Sequence, residues 1–174
     1  MKTLNNYINE WRANTSTISS IEKKKIAIQY FVYLITDDER IKIFDKDWNQ
    51  FNDYKDSVYI NGKHIEIDDD GFTINTYNPG TYNVYIENIN NITNCGFMFS
   101  DCKRLIKVPM FNTKKVKDMI GMFAGCKNLE EVPELNTSNV NNMYEMFINC
   151  NNLSEETKQK WSKVYNFEKG TKRE

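Results

Sequence analysis

The chain has 174 residues, a formal net charge of −1, 40% hydrophobic residues and 13% aromatic residues. That length fits one compact unit or two small ones, and the near-zero charge implies no global electrostatic partner. No stretch approaches the roughly 20 apolar residues of a membrane span, and Met1-Lys2-Thr3-Leu4-Asn5-Asn6 opens no secretion-type apolar run, so the expected location is the cytoplasm.

In chain order, the first predicted element is a short helix over residues 3–13. Thr3 caps it, and Leu4, Tyr7, Ile8 and Trp11 fall at i, i+3, i+4 and i+7 on one face. So short a helix is marginal alone, so Tyr7 and Trp11 need a surface, in this chain or in a partner. The opening residues Met1 to Trp11 resemble a leader segment of gut-bacteriophage proteins, which implies a docking peptide and a host or virion setting.

Lys23-Lys24-Lys25 precedes an apolar run from Ile26 to Ile35, rich in β-branched and aromatic residues and read as a buried strand. A polar turn at 36–40 and Ile41 to Phe44 would complete a hairpin. The rival reading is a helix from Asp37 to about Phe51, with Ile41, Phe44, Trp48 and Phe51 on one face. Asp45, Asp47 and Asn49 match the first ligand positions of a calcium loop. Gln50 replaces its glycine, and Asp56 its terminal glutamate, so a solvated loop is expected instead. Asn61-Gly62 between Val58–Ile60 and His64–Ile67 is a hairpin signal. Turns at Asp68–Gly71 and Asn78-Pro79-Gly80 bound two further strands, 72–77 and 81–86. Residues 37–91 carry five basic and twelve acidic side chains, an acidic block.

From Ile92 to Leu153 the pattern repeats every 24 residues. Met98, Met122 and Met146 fall in register, as do Phe99, Phe123 and Phe147; Cys102, Cys126 and Cys150; and Leu105, Leu129 and Leu153. Val108-Pro109 returns as Val132-Pro133. Such a period predicts a solenoid in which each repeat buries its apolar face against its neighbours. Within a repeat, Met119, Met122, Phe123 and Cys126 read as a short helix, and residues 129–135 as an extended segment broken by Pro133. The segment from Met122 to Leu153 resembles the BspA-type leucine-rich repeat, also known from Mycoplasma lipoprotein-associated repeats. That resemblance implies a right-handed solenoid used for protein or surface recognition, with no catalytic residues. The aligned cysteines read as small buried hydrophobes. Ser154-Glu155-Glu156-Thr157 opens a helix with Trp161, Val164 and Tyr165 on its apolar face, and Lys169 to Glu174 reads as a frayed tail.

The expected fold is therefore α+β: a short leucine-rich-repeat solenoid with an N-terminal β-hairpin cap and a C-terminal capping helix. Its segments are residues 1–16, a leader helix; 17–91, a β-rich cap; 92–153, the repeats; and 154–174, the capping helix and tail. No catalytic, cofactor or metal constellation stands out, since the single histidine, His64, has no nominated partner. Six basic residues between Lys103 and Lys117 face Glu130, Glu131 and Glu134 one repeat later, which breaks any nucleic-acid stripe and pairs Lys107 with Glu131 and Lys103 with Glu130. The expected function is non-enzymatic protein recognition through residues 106–111 and 130–135. The candidate contacts are Lys107, Met110, Glu130, Glu131 and Glu134, joined by Tyr7 and Trp11 of the leader. The alternatives are a self-associating virion-type assembly component and a small host-directed inhibitor or effector.

Overall fold

A computed structural model describes residues 30–36 and 39–173. The predicted helix over 3–13 and the first part of the run from Ile26 lie outside the described residues. A five-stranded antiparallel sheet organises the chain, with strand order β3-β2-β4-β1-β5. Its strands are β1 (Phe31–Ile35), β2 (Val58–Ile60), β3 (Lys63–Ile65), β4 (Gly80–Ile86) and β5 (Leu105–Lys107). Alternation decides its faces: Phe31, Tyr33 and Ile35 of β1 and Val84 and Ile86 of β4 are all buried and point into the core.

The predicted hairpin from β1 to residues 41–44 does not form, and neither does the rival helix over 37–51. β1 is flanked on both sides already, by β4 with Phe31 opposite Val84 and by β5 with Val32 opposite Lys107. Residues 39–43 instead make isolated bridges, Glu39 with Tyr77 and Lys42 with Phe72. A single short helix, α1 (Phe51–Tyr54), follows. The Asn61-Gly62 hairpin is present, with β2 paired to β3 and both turn residues at positive φ, 52° and 81°. The expected strand over 72–77 is reduced to bridges, because its residues pair singly with 39, 42 and 67.

The repeats correct the expected fold most. The chain is not the helical leucine-rich-repeat solenoid predicted from the period but a mostly β protein, and among the described residues its α-helix is confined to α1 and α2 (Glu155–Trp161). Met119 to Cys126, predicted as helix, is a run of tight turns. Alternate N–H groups close them locally, Met122 to Met119, Ala124 to Gly121 and Cys126 to Phe123. The others donate sideways to the next repeat, Met119 to Asn142, Gly121 to Tyr144, Phe123 to Met146 and Gly125 to Ile148, at 2.9–3.0 Å. Helix is blocked by two left-handed residues four apart in every repeat: Phe97 and Asp101, Gly121 and Gly125, Glu145 and Asn149. The i, i+3, i+4, i+7 spacing still turns methionine, phenylalanine and cysteine inward.

Packing follows from that register. Phe99 stacks on Phe123 at 5.8 Å and 3°, and Phe123 on Phe147 at 5.6 Å and 14°. Phe44 extends the column at one end and Phe167 at the other, both stacked. The cysteines are free and buried, and the thiols of Cys126 and Cys150 each donate to a phenylalanine carbonyl of the preceding repeat, Phe99 and Phe123, at 2.9 Å.

α2 begins as its sequence predicts, with Ser154 Oγ accepting from the Thr157 N–H. It ends at Trp161, so Val164 and Tyr165 are not on it. The expected frayed tail is instead a two-stranded hairpin, β6 (Tyr165–Asn166) with β7 (Thr171–Lys172), turned at Gly170 with φ +64°. Its aromatic residues Tyr165 and Phe167 close over Phe147, which is why these residues are ordered against the body. No described helix is long and apolar enough to cross a membrane.

Candidate functional site

The extended segments after each repeat's turns lie side by side. Val108 N–H donates to Glu131 O at 2.9 Å and Glu130 N–H to Ile106 O at 2.9 Å, so Val108-Pro109 and Val132-Pro133 form adjacent steps of one floor. The prolines leave no N–H to pair there. α2 makes one wall. Thr157 fixes it, its Oγ1 donating to Glu130 O at 3.0 Å, and Trp161 Nε1–H donates to Val132 O at 3.3 Å. Tyr30, Val32 and Asn83 of the sheet make the other wall. The enclosed groove has a volume of about 420 Å³, within the usual range of ligand pockets, roughly 300–1,000 Å³.

The charges around the groove are paired within the chain. Lys107 forms an ion pair with Glu131, and Lys160 with Glu156 at 2.7 Å, all four residues lining the groove. Such exposed pairs contribute about 0–1 kcal/mol each, but they leave the groove without net charge over an apolar floor. Met110 lines its mouth and is 45% exposed.

Of the residues singled out from the sequence, Lys107, Met110 and Glu131 come together here. Glu130 and Glu134 are exposed but do not line the groove, and Tyr7 and Trp11 lie outside the described residues. Lys107 pairs with Glu131 as expected; Lys103 makes no such pair with Glu130, and the neighbouring Arg104 pairs with Glu39 at 2.6 Å. Sequence reasoning missed the sheet wall, because nothing local to Tyr30 or Asn83 announces that β1 lies beside a repeat some 75 positions later. It also missed Glu156, Thr157 and Lys160 as groove residues, though the Ser154 cap fixed where their helix starts.

Other groups with chemical potential are occupied. His64 Nε2 lies 2.8 Å from the Asp56 carbonyl and its ring packs edge-on to Tyr59. Burial pushes the Asp68 carboxyl up, but the hydrogen bonds from Arg40 and from the Phe72 and Asp70 N–H groups outweigh it and hold the group below the usual carboxylate range. Asp45 accepts from Lys42 Nζ at 2.7 Å and from the Asp47 N–H. Gln50, at the position where a calcium loop needs glycine, anchors the first repeat: its Oε1 accepts from the N–H groups of Thr93 and Asn94. Among the described residues no three His, Cys, Asp or Glu side chains are grouped as a metal ion would require.

A family model described as a Mycoplasma protein of unknown function, DUF285, matches residues 75–172, more than half of the chain and all of the repeats. No curated protein and no solved structure matches.

Proposed function

This chain belongs to the DUF285 family, and from its own surface we propose that it is a non-enzymatic protein-recognition module whose contact surface is the groove between the Val-Pro steps, α2 and the sheet. The observation that carries this is the groove's makeup: an apolar floor of Val108, Pro109, Val132 and Pro133, with its flanking charges already paired. Such a surface suits an uncharged, apolar stretch of a partner, because entering it leaves no ion unpaired. The resemblance to BspA-type repeats, which serve protein or surface recognition, points the same way. Assembly by end-to-end stacking of copies is less well supported, since Phe44 and Phe167 of the same chain cover both ends of the phenyl column.

The test is capture of a binding protein by the full-length chain, repeated with Met110→Asp in the groove and with Tyr144→Asp, an exposed residue outside it. Capture that is lost at least tenfold with Met110→Asp and kept with Tyr144→Asp is the expected result. Equal capture by all three overturns the groove assignment, and growth of the chain's own mass with concentration, without any captured protein, favours the assembly reading.

A further inference from the structure

A second cavity, of about 530 Å³, opens where the bridged segment over 39–42 meets the first two repeats. It shares no lining residue with the groove beside α2. Its lining carries five cations, Arg40, Lys42, Lys103, Arg104 and Lys127, against two carboxylates, Glu39 and Asp101. Three of the cations are held in place by ion pairs: Arg40 with Asp68, Lys42 with Asp45 at 2.7 Å and Arg104 with Glu39 at 2.6 Å. Asp45 and Asp68 themselves do not line the cavity.

Lys103 and Lys127 differ from these three. Neither forms an ion pair among the described residues. They stand 24 residues apart, so the register that sets Phe123 beside Phe99 also sets Lys127 one step from Lys103. Neighbouring ammonium groups repel, and both side chains are exposed, so no core packing compensates. Asp101 is the one lining carboxylate without an ion pair among the described residues, and it lies against Gly125 of the next repeat. It offsets one of the two free ammonium charges, so the cavity keeps a positive balance. The third copy of the lysine position is Asn151, and that of Arg104 is Asn152, so this balance is confined to two steps of the stack.

We infer that this cavity binds a single phosphate group, carried by a small phosphate monoester. A monoester bears about −1.5 to −2 charges near pH 7. The cavity meets it with two unpaired ammonium groups, each with three donors, beside the side-chain amide of Asn128. Arg104 meets Glu39 through Nε, so its terminal N–H groups remain to donate to a phosphate oxygen. Lysine stops after two steps of the stack, which fits one compact anion and not the row of phosphates along a nucleic-acid strand. The groove beside α2 has its ions paired with one another and suits an apolar partner. This cavity leaves two cations unpaired and suits an anion.

Titration of the full chain with inorganic phosphate and with glycerol phosphate tests it, followed by the backbone amide resonances of Arg104 and Asn128 at an ionic strength held constant with sodium chloride. Saturable shifts with both probes are expected. Replacing both lysines, Lys103→Gln with Lys127→Gln, should weaken binding by about tenfold or more, the loss of two charge-assisted hydrogen bonds. Asp101→Asn removes the opposing charge and should tighten it. Should the double variant fail to fold, Lys127→Gln alone serves, with a smaller loss. Shifts that are absent or do not saturate overturn the inference, as does binding indifferent to the lysine substitutions. Binding of inorganic phosphate without the ester overturns the monoester as ligand. A short single-stranded oligonucleotide that binds more tightly than the ester, and loses affinity in the same variant, overturns it in favour of a nucleic acid. Met110→Asp, which reports on the groove, should leave phosphate binding unchanged, so the two readings fail separately.

Discussion

At the residue scale, two glycines with similar backbone angles separate conformational from steric constraint. Gly62 has φ +81° and nothing near a would-be Cβ; Gly71 has φ +86°, and a Cβ there would collide with the Phe44 carbonyl. Gly62→Ala should therefore cost about 1–2 kcal/mol, the penalty of the left-handed backbone alone. Gly71→Ala should cost distinctly more, since Phe44 is fixed in the aromatic column, and chemical denaturation of the two variants side by side measures the difference. The cysteines show a second constraint. Burial pushes all four thiols up, that of Cys150 to about 12. Since the thiolate is the reactive form, a disulfide-exchange reagent at pH 8 should titrate no thiol in the native chain and four after unfolding. The sign of the linkage follows: the unfolded chain releases these protons near its ordinary thiol pKa, roughly 8.5, while the folded chain keeps them. The thiols therefore contribute stability below that pH, and the contribution falls as pH rises above it.

At the scale of elements, the stacked phenylalanines are the sharpest probe. Phe123 lies between Phe99 and Phe147 with no exposure, so Phe123→Ala should cost about 3–5 kcal/mol by the cavity it leaves, read as a lowered denaturation midpoint. Elements with local causes were legible: the hairpin at Asn61-Gly62, whose turn needs φ > 0 at both residues, and the start of α2 at Ser154. The 24-residue register was legible as well, and with it which side chains turn inward. The conformation of each repeat was not. Its left-handed positions are glycine only in the middle copy, and Phe97, Asp101, Glu145 and Asn149 disguise them in the other two. The partners of β1 were hidden too, because pairing Phe31 with Val84 and Val32 with Lys107 is decided by burial across the fold. Of the groove, the strip holding Lys107, Met110 and Glu131 could be read from the period, and the sheet wall could not.

At the scale of the molecule, sheet and repeats share one core. β5 belongs to the first repeat and is also the edge of the sheet, and Phe31 of β1 packs on Phe99 at 5.0 Å. The carboxy-terminal hairpin, whose ladder is extended by Arg173 N–H to Val164 O, meets this body through Lys172 Nζ to Val140 O and Glu145 N–H to Gly170 O. Beneath them Tyr165 and Phe167 lie over Phe147. Consider tension applied at the carboxy terminus. Among the described residues β7 pairs only with β6, so the load reaches these bonds one after another rather than all together. The hairpin peels like a zip, lifts Phe167 and bares the end of the phenyl column, whereas β1, held between two neighbours, shares its load across both. Tension on β7 would therefore uncover Phe147 before it disturbs the sheet.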